Sequence, residues 1–246
     1  MRVLWADPDP NAQLVLLQLL DFLRPHAEIL NKLMLFQADI GIGGRSGPEI
    51  RAWKRPAQMV DIHHLETAER AWRAFRQPTP EAWLDLLRED LGALPYLRQS
   101  VLELLDELPA ARTALGATEM MVLKLISPGD VLAQHIFPGD KRANHLRIFG
   151  YWEVGLMLGR LAHCPAPAVL GLDEGPFDLD MHNDSQRFLR YRESKLALSE
   201  LGRAFVEEKD DFSRHNPIRR WWGGTELTND RLWRWDALNR DLIPPA

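Results

Sequence analysis

Acidic and amide side chains are concentrated directly after the first apolar segment of the chain. They are Asp7, Asp9, Asn11 and Gln13, and they follow the apolar residues 3–6. Two neighbouring carboxylates could bind Mg²⁺ or share acid and base roles, and ligands of open α/β sheets bind outside the carboxyl ends of strands. Turn formation and helix capping explain the same residue types. We favour that structural role, keeping Asp7 and Asp9 as catalytic candidates and Asn11 and Gln13 as ligand-binding candidates.

A glycine-rich segment, residues 41–47, could cradle a phosphate group. It matches neither the dinucleotide-binding pattern nor the phosphate-binding loop with its lysine. Glycine is the default residue of turns and flexible connections. We therefore expect this segment to be a loop without a ligand.

Histidine and cysteine residues are scattered along the chain. Cys164 is the only cysteine, so an intrachain disulfide is excluded, and no His-Glu-x-x-His or Cys-x-x-Cys spacing occurs. Such spacings are what metal sites usually require. A lone cysteine at the end of an apolar helix is typically a small buried residue. The sequence predicts no metal site, no cofactor and no cysteine nucleophile.

A nucleic-acid contact is predicted only at one place, the start of a long helix within residues 143–162. The residues suited to it are Lys141, Arg142, Asn144 and Arg147. A helix N-terminus with such side chains can enter a groove of duplex DNA. However, residues 118–209 carry 11 basic and 13 acidic side chains, a local net charge of −2. DNA-binding domains concentrate positive charge, so we expect protein contact more than DNA binding.

Large rings are densest near the end of the sequence. Four of the nine tryptophans, Trp221, Trp222, Trp233 and Trp235, alternate there with Arg219, Arg220, Arg231 and Arg234. Arginine on tryptophan can form an internal cation–π stack or a platform for bases. Because so many rings normally serve a core, we expect a structural clasp. In it, segments 219–227 and 231–235 pair, and Trp221 and Trp235 are buried.

The elements that position these residues begin with a strand–helix–strand unit. Residues 2–6 are typical of a strand, residues 11–23 have leucines at helical spacing, and residues 30–40 indicate a second strand. The two strands should be parallel. Since two parallel strands cannot form a stable sheet, either residues 41–60 hide a third strand, with 58–62 as the candidate, or a homodimer or partner chain completes the sheet.

The remaining chain predicts helices and a second unit. Apolar spacing indicates three helices within residues 63–108, with Thr79 capping the second. Beyond residue 109 the order is helix 119–126 capped by Thr118, short helix 131–137, long helix, strand 169–172, strand 196–198 and helix 200–208. This order is typical of a winged helix-turn-helix. A long insert, residues 173–193, separates the two strands.

The fold class is therefore α+β and mostly helical. We expect a small, incomplete, Rossmann-like α/β unit over 1–62, a helical connector over 63–109, and a winged-helix-like domain with a tryptophan-rich tail over 110–246. A net charge of −5 argues against a phosphate backbone as the main partner. No apolar run is long enough to cross a bilayer, so we expect a cytoplasmic protein.

These observations predict a non-enzymatic binding or regulatory module that uses its winged-helix-like domain. The alternative is an enzyme, or a protein that binds a phosphate ligand or a metal at the carboxyl end of the first strand. Binding of labelled duplex DNA at low salt would separate the DNA-binding version from the protein-contact version.

The chain also resembles the bacterial family known as domain of unknown function 1835. The residues that carry the resemblance include Val3-Leu4-Trp5, Ala71-Trp72, Leu94-Pro95, Glu200-Leu201-Gly202-Arg203-Ala204 and the ending Trp233-Arg234-Trp235-Asp236. The resemblance covers nearly the whole chain and implies a family without an established reaction. It also implies a further N-terminal α/β segment with a Gly-Asp-Ser turn, which has no counterpart in this sequence.

Overall fold

The computed structural model describes residues 2–26, 30, 32–43, 45–53, 56–139 and 148–245. The protein has an α+β fold with small sheets, as predicted, and it divides into two units. The first unit is Met1–Leu105 with Trp221–Glu226, and the second is Asp106–Arg220 with Leu227–Ala246. The helices predicted as a connector belong to the first unit as far as residue 105.

A small sheet organises the first unit. Strand β1 (Arg2–Ala6) pairs in parallel with β2 (Leu33–Gln37), and β2 pairs antiparallel with β3 (Gln58–Met59). The predicted parallel pair is confirmed, and residues 41–60 contain the missing third strand. Strand β1 lies at an edge of the sheet, and Val3 and Trp5 are about half exposed. A second copy or partner chain along that edge stays a prediction.

Helices complete the first unit. They are α1 (Pro10–Leu23), α2 (Gly47–Ala52), α3 (Ile62–Phe75), α4 (Glu81–Asp85), a 3₁₀ turn (Leu86–Arg88) and α5 (Leu97–Leu105). The buried leucines of α1 form the stripe predicted from helical spacing. The prediction that Thr79 caps α4 was wrong: Pro80 is the N-cap, and the Thr79 hydroxyl donates to Glu81.

The tip of the tryptophan-rich tail also belongs to the first unit. Strands β7 (Arg219–Trp222) and β8 (Thr225–Thr228) pair around Gly223 and Gly224. A Cβ at Gly224 would lie 2.1 Å from the Arg76 carbonyl oxygen, and the Gly224 N–H donates to the Phe75 carbonyl at 2.9 Å. Only glycine permits this approach, which satisfies a carbonyl at the end of α3.

The second unit contains α6 (Ala117–Ile126), β4 (Val131–Leu132), a 3₁₀ turn (Ala133–Ile136), α7 (Tyr151–His163), β5 (Val169–Leu170), α8 (Leu179–Asn183), α9 (Ser185–Glu193), β6 (Lys195–Leu198) and α10 (Glu200–Val206). Strand β6 lies between β4 and β5 and is antiparallel to both. The predicted strands within 169–172 and 196–198 are confirmed, and Ser199 is the N-cap of α10.

Two predictions for the second unit were wrong. Residues 131–137 are a short strand followed by a 3₁₀ turn, because β4 pairs with β6 instead of continuing as a helix. Helix α6 has Gly116 as its N-cap, and Thr118 lies inside its first turn. The Thr118 hydroxyl and N–H both donate to the Glu107 carboxylate, so this side chain binds a neighbouring segment and does not cap its own helix.

The tail of the second unit forms a separate hairpin. Strand β9 (Arg234–Asp236) pairs with β10 (Asp241–Ile243), so the predicted pairing of segments 219–227 and 231–235 is wrong. The turn at 228–231 closes with a single bridge between Thr228 and Arg231. Trp235 is buried, and its indole N–H donates to Asp106 Oδ1 at 2.8 Å. The predicted burial of Trp235 is therefore confirmed.

Candidate functional site

The acidic residues after β1 have structural partners. Asp9 is the N-cap of α1, and its Oδ1 accepts the N–H of Ala12 at 3.0 Å. Asp7 Oδ1 accepts the N–H of Ile42 at 2.8 Å and so holds the glycine-rich segment. Each carboxylate binds a backbone donor, as the structural interpretation of these residues requires. The described part of the chain contains no group of three or more residues that could hold a metal ion.

The two amide candidates differ in exposure, although both belong to α1. Gln13 is buried, and its Nε2 donates to the Asp7 carbonyl oxygen at 2.7 Å, while Asn11 is exposed. The structure therefore brings Gln13 to Asp7 but does not gather the four candidates around one point. The nucleic-acid candidates Lys141, Arg142, Asn144 and Arg147 lie outside the described residues.

A pocket of about 520 Å³ lies within the second unit. One face of α7 forms a wall through Gly155, Leu156, Gly159 and Arg160, and residues 217–220 line it as well. Further lining residues include Phe177, Phe212, Ile218, Pro165, Pro176 and Pro217. The volume falls within the range of small-molecule sites, which are mostly apolar with a few polar groups.

Two glycines, one helical turn apart, shape this wall. A Cβ at Gly155 would lie 2.2 Å from the Phe177 ring, so the absence of a side chain lets that ring pack on α7. A Cβ at Gly159 would have no heavy atom within 4 Å, which leaves open space above this residue. This face of α7 thus packs against the Phe177 ring at Gly155 and leaves space for a ligand at Gly159.

Charged groups converge on the polar side of the pocket. Glu119 is buried, and it accepts the Gly116 N–H at 2.8 Å and the Arg220 Nη1–H at 2.9 Å, with Arg160 Nη2 at 3.6 Å. Burial opposes the charged form, but Arg220 and Arg160 together hold the pKa of Glu119 below its ordinary value. Arg220 Nη2 is buried and has no hydrogen-bond partner among the described residues.

A second buried acid, Glu107, is close to this ion pair. Burial raises the pKa of Glu107 to about 7, and the neighbouring Glu119 carboxylate adds to the rise. Hydrogen bonds from Thr118 and the charge of Arg220 oppose it. Near neutral pH, Glu107 is therefore divided between its acid and carboxylate forms.

Glu107 should make stability depend on pH. Because its pKa is higher in the folded protein than the ordinary 4.5, the folded state binds more protons between these two values. Its stabilising contribution is complete below about pH 4.5 and is lost as the pH rises through about 7. The full loss is roughly 3 kcal/mol.

The measurement compares the wild type with Glu107→Gln by urea unfolding between about pH 5 and pH 8. Glutamine resembles the protonated acid and does not titrate. We expect the free energy of unfolding of the variant to rise relative to the wild type as the pH increases. A difference that is the same at every pH would contradict the shifted pKa.

His163 and Cys164 also line the pocket. Burial raises the pKa of the Cys164 thiol, and its Sγ–H donates to the Ala166 carbonyl at 3.3 Å. A thiol with a raised pKa is a poor nucleophile. That Cys164 is not catalytic stays a prediction.

Comparison of the chain with protein-family models, curated proteins and solved structures finds no match. The resemblance to domain of unknown function 1835 stays a prediction. No helix in the described ranges is long and apolar enough to cross a membrane.

Proposed function

We propose that the protein is a non-enzymatic binding module whose second unit takes up a small organic ligand. The pocket of about 520 Å³ beside α7 is the observation that carries this proposal. It combines apolar walls with converging charged groups, as small-molecule sites usually do. Its arginines provide recognition, and the raised pKa of the Cys164 thiol makes this side chain a poor nucleophile.

The proposal includes a winged-helix-like organisation of the second unit. Two features support it: the order of its elements, and the antiparallel sheet in which β6 lies between β4 and β5. In this interpretation α7 occupies the place of the recognition helix. A ligand against α7 could then influence what this helix contacts, which is how a regulatory module would use the pocket.

Protein contact is favoured over DNA contact for the exposed side of α7. Its exposed residues include Tyr151 and Trp152, the latter with 41% exposure. Phosphate contacts need lysine or arginine, and exposed apolar side chains are typical of protein-contact surfaces. The alternative enzyme or phosphate-ligand site after β1 has less support, because Asp7 and Asp9 already bind backbone N–H groups.

A neutral fluorescent probe, N-phenyl-1-naphthylamine, tests the pocket directly. We expect saturable binding of one molecule to the wild type and to Gly159→Ala. Binding should weaken at least about tenfold in Gly159→Phe, because the added ring occupies the open space above residue 159. Fluorescence titration measures the affinity, and circular dichroism checks that each variant is folded.

Gly159→Ala is the matched control, since it changes the helix at the same position without filling the pocket. If the folded Gly159→Phe variant binds the probe as tightly as the wild type, the ligand site is not here. A shift of labelled duplex DNA at low salt would instead support the DNA-binding version of this fold.

A further inference from the structure

We infer that the pocket is built for an amphipathic monoanion, a carboxylate on an apolar chain or ring. This inference rests on the proposed ligand-binding function and specifies the chemistry of the ligand. It is drawn from the charge of the lining, from the surroundings of Arg220 and from the apolar walls.

The ionisable lining carries more positive than negative charge. Arg160, Arg219 and Arg220 line the pocket, and Glu119 is the single acidic residue among the described lining residues. Glu119 already accepts bonds from the Gly116 N–H and from Arg220, and it lies near Arg160. One carboxylate is thus shared by two guanidinium groups, and positive charge remains for a ligand.

Arg220 provides the most specific feature of this wall. Its Nη1 donates to Glu119 at 2.9 Å, whereas its buried Nη2 has no partner among the residues that the structure describes. An unsatisfied buried donor is costly, and more so when the group is charged. Nη2 has almost no accessible surface, so a ligand oxygen reaches it only if the guanidinium turns toward the pocket that Arg220 lines. That contact would remove the cost and form a charge-assisted hydrogen bond.

The rest of the pocket limits what the anion can be. Its walls include Leu156, Phe177, Phe212 and Ile218, together with prolines. Apolar walls favour an apolar ligand body, since its burial removes it from water. A single carboxylate on a hydrocarbon body matches both the arginines and the apolar walls of the pocket.

The experiment compares three probes with the same chain: decanoate, decan-1-ol and decylamine. Isothermal titration calorimetry near neutral pH gives their affinities for the full-length protein. We expect decanoate to bind at least about tenfold more tightly than decan-1-ol, because a hydrogen bond between charged groups is worth about that factor. Decylamine should bind more weakly than the alcohol, since the lining repels a cation.

Two variants connect the preference to the arginines. Arg220→Lys keeps the positive charge beside Glu119 but removes the second donor arm, and we expect it to reduce the decanoate preference about tenfold. Arg160→Gln changes a half-exposed side chain and should lower decanoate affinity by more than it lowers decan-1-ol affinity. This second variant keeps the inference testable if Arg220→Lys does not fold.

The possible failures are distinguishable. Equal affinity for decanoate and decan-1-ol, with both lost in Gly159→Phe, would overturn the anion inference and leave the pocket as a ligand site. A decanoate preference that survives in both arginine variants would overturn it as well. If no probe binds in a way that Gly159→Phe blocks, the proposed function fails together with the inference.

Discussion

Replacement of Trp222 by alanine is expected to destabilise the first unit by about 3–5 kcal/mol, whereas Trp221→Ala should cost less than about 1 kcal/mol. The two residues are neighbours of the same type on one strand. They differ in burial, since Trp222 is 7% exposed and Trp221 is 67% exposed. The pair therefore separates the effect of burial from that of residue type.

The expected loss at Trp222 has two physical sources. Its indole N–H donates to the Leu104 carbonyl oxygen at 2.7 Å, and its ring lies 5.3 Å from that of Phe75 and 6.3 Å from that of Trp83. Alanine would leave a large cavity among these rings and an unpaired carbonyl. Trp222→Phe should cost less, because it keeps much of the ring contact and loses the hydrogen bond.

Urea unfolding of the three variants measures these differences, and amide hydrogen exchange in α3 and α5 assigns them to the first unit. Equal losses of stability for Trp221→Ala and Trp222→Ala would contradict the prediction that Trp222 is buried and Trp221 is not. A loss at Trp221 larger than at Trp222 would indicate that Trp221 is covered by a partner.

The tail also shows what a sequence pattern leaves open. Successive side chains of a strand point to opposite faces, so a strand with one buried face buries only one of Trp221 and Trp222. The expectation chose Trp221, and the structure buries Trp222. Burial depends on the docking of Gly224 against the end of α3, which joins residues far apart in the chain.

The first elements were predictable for local reasons. Asp9 and Pro10 specify the start of α1, and leucine spacing specifies its buried stripe. The third strand, Gln58–Met59, is so short that its own sequence hardly distinguishes it from a loop. Its pairing with β2 is a tertiary contact, which local propensity does not determine.

The pocket could not be predicted from local pattern, because its lining comes from residues 114 to 220. A sequence signal existed in Gly155 and Gly159, which lie on one face of a helix and allow close approach. The pairing of Glu119 with Arg220 had no such signal. Thr118 was expected as the cap of α6, whereas Gly116 is the cap and Glu119, at the third helical position, accepts its N–H.

Breaking the buried pair of Glu119 and Arg220 is expected to cost about 3–5 kcal/mol in the second unit. Glu119→Leu leaves the Arg220 guanidinium buried without its carboxylate, and it also removes the acceptor of the Gly116 N–H. Arg220→Met leaves Glu119 with the longer contact to Arg160 at 3.6 Å. Both single variants should therefore unfold at much lower urea concentration than the wild type.

The double variant Glu119→Leu with Arg220→Met is the control. Replacing a whole buried ion pair by apolar residues is often neutral or stabilising, so its loss should be smaller than the sum of the single losses by about 2 kcal/mol or more. Urea unfolding of all four proteins gives this coupling. Losses that simply add would show that the two side chains do not stabilise each other.

A double variant that is about as stable as the wild type would also bear on function. If apolar side chains maintain the fold as well as the ion pair does, stability does not explain why a charged pair is present at the wall of an apolar pocket. The pair would then serve recognition, because it holds the Arg220 guanidinium with Nη2 unbonded to the described protein. In that case the folded double variant should prefer decanoate over decan-1-ol less than the wild type does, which titration calorimetry can measure directly.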